Sequence, residues 1–136
     1  MDYSAEVRRR FAAALSSARE LPTRGTELAS GAAEDRTLGV WARARIAVSG
    51  GRITGAIFDV WGCPDTIAAA DLAAERMTGV SLADFQGLEV RRLAQELSIP
   101  TEKLGKLLRL EDAARAAVAE ALNRTEKGIE NGRITD

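Results

Sequence analysis

The stretch VWARARIAVSGGRITGAIFDVW, residues 40–61, decides the fold. In its first half, apolar residues alternate with aromatic or charged residues, which is the period-two pattern of a half-buried β-strand. One face of this predicted strand consists of Val40, Ala42, Ala44, Ile46 and Val48, and the other of Trp41, Arg43 and Arg45. Ser49–Gly51 is predicted to form a tight turn. The alternation resumes after it at Ala56, Phe58 and Val60, so the stretch predicts an antiparallel hairpin.

A helix is predicted upstream of the hairpin. Two strands alone are only marginally stable, so helices are expected to cover one of their faces. From Tyr3 to about Glu20, apolar residues recur at steps of three and four, as on one side of a helix. This stripe consists of Tyr3, Val7, Phe11, Leu15 and Ala18. Between this helix and the hairpin, Pro22, Gly25 and Gly31 interrupt the pattern, and at most a short edge strand is expected there.

Several helices are predicted after the hairpin. Pro64 suits the first turn of a helix that is expected to run to about Thr78 and to stop at Gly79. Ser81 is a candidate N-cap of a second helix, which ends before Pro100. A third helix follows, and its apolar stripe consists of Leu104, Leu107, Leu108, Ala114, Val118 and Leu122, interrupted only by Glu111.

The order of these elements predicts the fold class. One helix, a small antiparallel sheet and then several helices are typical of an α+β domain. At 136 residues, with 46% apolar and 29% charged residues, the chain is long enough for one globular core. We expect a single domain over residues 1–122. Residues 123–136 have little apolar surface to bury and are predicted to be a frayed tail.

Composition excludes several classes of partner. A net charge of −1 gives no overall field that would attract nucleic acid or anionic lipid. No apolar run approaches the roughly 20 residues of a membrane span. The first residues also lack the apolar core of a signal peptide. We therefore expect a cytoplasmic protein without a nucleic-acid or membrane partner.

The chain has a single cysteine, Cys63, directly before Pro64. At the N-cap of a helix, free N–H groups and the helix dipole stabilise a thiolate, which would make Cys63 a nucleophile, a persulfide carrier or a metal ligand. The alternative is that Cys63 is a small, inert, buried side chain, and the residues alone leave both interpretations open. Because the chain contains no histidine, it has no Cys–His pair and no imidazole metal site, so we do not expect an enzyme.

Several segments in order resemble the IscU / NifU N-terminal family of iron–sulfur cluster scaffolds. WGCPDTIAAADLAAERMTG, residues 61–79, is similar to the family's aromatic-Gly-Cys motif at the start of a helix rich in small residues. LAQELSIPTEKL, residues 93–104, resembles the segment that ends in the Leu-Pro-Pro-x-Lys stretch. KLGKLLRLEDAARAAVAEAL, residues 103–122, resembles the Lys-Leu-His-Cys block and the helix after it. The resemblance spans residues 3 to 122, and it implies an IscU-like fold with a third antiparallel strand.

The resemblance also locates the positions of the family's cluster ligands. Its Cys-Gly-Asp motif falls on Leu38, Gly39 and Val40, and its His-Cys pair falls on Gly105 and Lys106. Only Cys63 keeps a ligand residue. An iron–sulfur cluster or a zinc ion needs about four protein ligands, and a lysine at a ligand position repels a cation. We therefore expect the isolated monomer to hold neither, although the resemblance itself implies iron binding and a cluster.

Two functions follow from the resemblance. In the first, the protein is a scaffold-like factor in iron–sulfur cluster assembly, and Cys63 accepts a persulfide. A homodimer could also present two Cys63 thiolates to a bridging cluster that an external thiol completes. In the second, the protein is a family member without ligands that binds partner proteins, such as a cysteine desulfurase, and regulates them.

Overall fold

The structure, a computed structural model, describes residues 3–16 and 20–135, with side chains for residues 3–15 and 20–124. Its helices are α1 (Ala5–Ser16), α2 (Pro64–Met77), α3 (Val90–Leu97) and α4 (Leu104–Thr135), with a short 3₁₀ turn at Thr101–Lys103. Its strands are β1 (Glu27–Asp35), β2 (Val40–Ser49) and β3 (Arg52–Trp61). No helix in the described part of the chain has the length and apolar character needed to cross a bilayer.

The three strands form one antiparallel sheet in the order β1-β2-β3, which confirms the predicted hairpin and the third strand. Ser49 pairs with Arg52 across the turn. Gly50 and Gly51 hold φ values of 59° and 74°, the left-handed conformation that a two-residue hairpin turn requires at both positions. The inner face predicted for β2 is buried, since all five of its residues are at most 7% exposed.

Strand β1 is longer than the sequence predicts. It spans nine residues, whereas Gly31 was expected to limit it to a short edge strand. Gly31 lies inside the strand where α4 packs closely against it, and a Cβ there would lie 2.4 Å from the backbone nitrogen of Ala117. The glycine therefore permits close contact between strand and helix rather than ending the strand.

The helices pack on one face of the sheet. α4 crosses β1 and β2, and α2 packs against β3 and against α1. The core between them is built largely of alanines, together with larger side chains such as Ile46, Ile53, Leu107 and Leu110 that are fully buried. Small side chains allow the helices to approach the sheet closely. Helix α2 follows directly after β3, and α4 begins near the first turn of α2, since Lys103 pairs with Asp65 and Lys106 contacts Cys63.

Helix α2 begins and ends as predicted, with Cys63 at its N-cap and Gly79 just past its end at φ 97°. The helix predicted from Ser81 is wrong. The Ser81 hydroxyl does accept a hydrogen bond from the Asp84 backbone N–H, but only turns follow. The backbone here instead bonds the β2–β3 turn, through Ile53 N–H to Val80 and Leu82 N–H to Gly51. Helix α3 starts nine residues later, at Val90.

The outer helices differ from prediction at their ends. α1 ends at Ser16, and Glu20, its predicted last residue, is not helical. Ala18, the last residue of its predicted stripe, lies outside the described residues, and Leu15 of that stripe is 69% exposed. At the other end of the chain, α4 continues beyond residue 122 to Thr135. The domain boundary and the fraying of the tail stay predictions.

Candidate functional site

Cys63 lies between the last strand and the first long helix after it. Its backbone is extended (φ −80°, ψ 165°), Pro64 follows at the first helical position, and the Cys63 carbonyl accepts the Ile67 N–H at 3.1 Å. This confirms the predicted N-cap position. The side chain is half-buried, and its Sγ lies 3.4 Å from the Thr66 hydroxyl, which is itself fully buried. The thiol thus faces the N-terminal end of α2 with a hydroxyl fixed beside it.

Two lysines, one in the 3₁₀ turn before α4 and one in the first turn of α4, bring positive charge to the thiol. Lys106 Nζ lies 3.8 Å from Cys63 Sγ, within hydrogen-bond distance for sulfur. Lys103 donates to the Asp65 carboxylate, whose side chain is 3% exposed, and its ammonium lies 5.0 Å above the Tyr3 ring. The Lys103–Asp65 pair joins the turn before α4 to the first turn of α2. Lys106 follows three residues later, in the first turn of α4.

The pKa of Cys63 is lowered from its ordinary value. Partial burial raises the pKa of the thiol, because burial disfavours the charged form. The Thr66 hydroxyl and the Thr66 backbone N–H stabilise the thiolate by hydrogen bonding, and the charges of Lys106 and Lys103 add to this. Together these contacts outweigh the burial, so the thiolate, the reactive form of cysteine, forms at lower pH here than in an ordinary cysteine.

The structure brings together some of the positions that the resemblance assigned to lost ligands. Lys106 contacts Cys63, and Leu38, at the turn between β1 and β2, lies against Gly105: a Cβ at Gly105 would lie 3.2 Å from Leu38 Cδ1. Val40 begins β2, and its side chain is buried at 3% exposure. The assignment of a former metal or cluster site to these residues stays a prediction.

Three residues that shape the site were not identified from the sequence. Thr66 stands three residues after Cys63, which is the spacing at which a residue in the first helical turn reaches back to the N-cap. That signal was present in the sequence. Asp65 and Lys103 are 38 residues apart, and nothing local indicates that they pair.

The residues at the site do not fit a metal ion or a cluster. In the part of the chain that the structure describes, no group of three or more cysteine and carboxylate side chains could hold a metal. Cys63 supplies one thiolate, and Lys106 places a cation 3.8 Å from its sulfur. A dication would meet repulsion where it needs a second thiolate. The described residues therefore do not by themselves provide the donor set of an iron–sulfur or zinc site.

Fold and site together define an α+β domain with a cation-stabilised cysteine at the helix that follows its last strand. The comparison with protein families agrees with this class and identifies the family. The chain belongs to the NifU-like N terminal domain family, whose model matches residues 17–128.

The curated relatives are named for iron–sulfur cluster assembly. The chain is 38% identical over 74 residues to the iron–sulfur cluster assembly scaffold protein IscU of Rickettsia prowazekii, a match that covers 54% of this chain and 56% of that protein. It is 34% identical over 76 residues to the Escherichia coli K12 scaffold protein IscU, covering 56% and 59%. It is also 35% identical over 81 residues to a Drosophila melanogaster protein named iron–sulfur cluster assembly enzyme IscU, covering 60% and 53%. The matches thus span little more than half the length of these relatives.

A solved structure shares the fold. The crystal structure of a candidate iron–sulfur cluster assembly scaffold protein for the SUF system from Fervidobacterium islandicum AW-1 superposes with a TM-score of 0.62. The superposition covers 85% of this chain and 96% of that one, at 10% sequence identity. At this identity the likeness concerns the fold, and it confirms the predicted three-stranded sheet packed against helices.

Proposed function

We propose that this protein is a scaffold-like factor of iron–sulfur cluster assembly that accepts sulfur on Cys63. The observation that carries the proposal is the Lys106 ammonium, 3.8 Å from the sulfur at the helix N-cap. Lys106 stands where the family resemblance places a cluster ligand. Its positive charge attracts an anionic sulfur species and repels a metal cation. The names of the relatives supply the process in which such a thiolate would work.

The chemical step is the transfer of a sulfur atom from a persulfide. The Cys63 thiolate attacks the outer sulfur of a persulfide on a donor protein, such as a cysteine desulfurase. One S–S bond forms on Cys63 as the donor's S–S bond breaks, and the donor cysteine leaves as a thiolate. No oxidant or reductant is consumed. The new terminal sulfur carries negative charge, which Lys106 and the N-terminal end of α2 would stabilise.

In this proposal the cluster is cargo and not a resident cofactor. The monomer carries sulfur, and the remaining ligands of a cluster come from elsewhere: a second copy that presents its own Cys63, an external thiol, or another assembly protein. The protein acts as an acceptor rather than as a catalyst, and we place it in the cytoplasm.

Transfer to Cys63 is testable with the desulfurase of the same genome. The protein is mixed anaerobically with desulfurase and cysteine, alkylated, and its intact mass is measured. We expect the gain of one sulfur atom, which a dithiol reductant removes. Cys63→Ser should gain none, and Lys106→Gln should gain sulfur more slowly than Lys106→Arg, which keeps a cation. A parent protein that gains no sulfur would refute the proposal.

The alternative function is regulation of a partner without any transfer, favoured by the same loss of ligand residues at Leu38 and Lys106. The two functions differ in what Cys63→Ser does. If the protein regulates only by binding, its Cys63→Ser variant should change the desulfurase rate as much as the parent does. A sulfur acceptor would lose its effect on cysteine turnover together with the thiol.

A further inference from the structure

The hydroxyl of Thr66 contacts the Cys63 sulfur from the interior of the protein. Thr66 is fully buried, and its Oγ1 lies 3.4 Å from Sγ. Among the residues that the structure describes, this sulfur is the hydrogen-bond partner of the hydroxyl. A buried hydroxyl without a partner is costly, so Thr66 is expected to keep its bond to the sulfur. When Cys63 is a thiolate, which has no proton to give, the hydroxyl is the donor.

Lys106 approaches the same sulfur on a different kind of side chain. Its Nζ lies 3.8 Å from Sγ, and the residue is only partly buried. An ammonium at the end of a flexible four-carbon chain can move with the negative charge when a second sulfur is added to Cys63. The Thr66 hydroxyl is on a short, buried side chain and stays at Sγ. Of the two donors, Thr66 therefore serves the inner sulfur alone.

A hydrogen bond to Sγ stabilises the free thiolate more than the persulfide. In the thiolate the negative charge is on Sγ itself, and a hydrogen bond to a charged acceptor is about twice as strong as one to a neutral acceptor. In the persulfide the charge is on the outer sulfur, and Sγ is a neutral acceptor. Thr66 thus favours the state in which Cys63 has given its sulfur away. The bond strengthens while Sγ becomes a leaving thiolate, and this lowers the barrier to that step.

A persulfide on Cys63 can react with an external thiolate at either of its two sulfur atoms. Attack on the outer sulfur forms an S–S bond on the acceptor, breaks the bond to Sγ and leaves its electron pair on Sγ. Attack on Sγ instead releases hydrosulfide and leaves a mixed disulfide, which a second thiol must then reduce. The sequence contains no second cysteine for that reduction. Because Cys63 is half-buried and bonded by Thr66, the outer sulfur is also the more accessible atom.

We propose that the Thr66 hydroxyl stabilises Cys63 as a leaving thiolate, so that the protein passes its outer sulfur to an external thiolate instead of releasing hydrosulfide. The inference deepens the proposed function and rests on it, since only a protein that accepts sulfur can pass it on. The transfer consumes no oxidant or reductant. The reaction that consumes the persulfide on Cys63 is therefore a second persulfide transfer, and reduction of this sulfur to sulfide takes place on the acceptor or later.

The test separates gain from release of sulfur by using glutathione persulfide in place of a desulfurase. The parent and its variants are loaded with this donor, desalted and mixed with reduced glutathione, and intact mass follows each step. The parent should lose one sulfur atom, glutathione persulfide should be trapped by alkylation, and Cys63 should carry no glutathione. Thr66→Val keeps the shape without the hydroxyl. It should release sulfur about fivefold more slowly, because part of a hydrogen bond to a charged sulfur is lost in the transition state.

Loading should respond in the opposite sense. A less stabilised thiolate is the better nucleophile. Thr66→Val should therefore load at least as fast as the parent, once each rate is divided by the ionised fraction taken from the pH profile of alkylation. Thr66→Ser keeps the hydroxyl and should restore release. Thr78→Val is the matched control and should change neither step, because the Thr78 hydroxyl bonds the Ala74 carbonyl at the other end of α2.

Equal slowing of both steps in Thr66→Val would assign Thr66 a purely structural role and overturn the proposal. Unchanged release by this variant would also overturn it. The same holds for a parent that releases hydrosulfide and retains glutathione, or one that glutathione persulfide does not load. If the parent shows the expected difference from Thr66→Val but gains no sulfur from a desulfurase, the proposed function alone would be refuted.

Discussion

At the scale of single residues, the site places a cation beside the chain's single cysteine, because Lys106 Nζ lies 3.8 Å from Cys63 Sγ. The N-cap position of Cys63 could be predicted because Pro64 marks the start of a helix, and Lys106 was identified through the family resemblance. Thr66 was overlooked although its spacing of three residues from Cys63 is a local signal. The Lys103–Asp65 pair could not be predicted, because it depends on how the start of α4 docks against α2. The result is a cysteine whose anionic form is favoured by Thr66, Lys106 and Lys103 against the opposing effect of partial burial.

Removing the cation should raise the pKa of Cys63. In Lys106→Gln the partial burial remains while one stabilising charge is lost, so a smaller fraction of the thiol is ionised at neutral pH. Alkylation by iodoacetamide near pH 7 should be several-fold slower, and its pH profile should move to higher pH. Lys106→Arg is the control that keeps the charge. A parent whose alkylation midpoint is at or above about 8.5, the value of a free cysteine, would contradict the site described here.

At the scale of the elements, local pattern was a good guide where neighbours in sequence are neighbours in space. The β2–β3 hairpin followed from alternation and a Gly-Gly turn. The length of β1 was underestimated, because the sequence does not distinguish a glycine that permits close packing of a helix from one that ends a strand. The helix expected at Ser81 failed because its backbone bonds Gly51 and Ile53, 27 or more residues earlier, as the Val80–Ile53 and Leu82–Gly51 pairs show. Neither contact is visible in a local pattern.

The close packing of β1 on α4 predicts that one methyl group added at Gly31 lowers the free energy of unfolding. In Gly31→Ala the new Cβ would lie 2.4 Å from a backbone nitrogen of α4, so the strand or the helix must shift. We expect a loss of about 1–3 kcal/mol in the free energy of unfolding, measured by urea denaturation. Gly62→Ala is the control, since its Cβ would lie at an ordinary 3.5 Å from Thr66. Equal stability of the two variants would show that β1 and α4 are not packed this closely.

At the scale of the whole molecule, the chain has the fold of its family, and the positions that the resemblance assigns to cluster ligands can be tested for convergence. If the former ligand positions still converge, thiolates placed there should bind zinc. Leu38→Cys with Lys106→Cys would give three thiolates with Cys63, and water can complete a tetrahedral zinc ion. Val40 is left unchanged because it is buried, and a carboxylate there would lose its hydration.

Thermal unfolding with and without zinc measures this convergence. At a zinc concentration 100 times the Kd, the double variant should gain about 2.7 kcal/mol of stability. The matched control combines Lys106→Cys with Leu122→Cys. Leu122 is as exposed as Leu38, but it lies 16 residues after Lys106 in α4, about 24 Å from it along the helix. Equal zinc responses of the two variants would mean that Leu38 and Lys106 do not share a site with Cys63.

Native mass spectrometry tests the central claim most directly, because one spectrum reports both sulfur and iron on the intact protein. The monomer is incubated anaerobically with ferrous iron, cysteine and a cysteine desulfurase, and then desalted. The account predicts a species that carries one additional sulfur atom on Cys63 and no iron. A monomer that retains iron and sulfide together, or one that remains unmodified at Cys63, would contradict it.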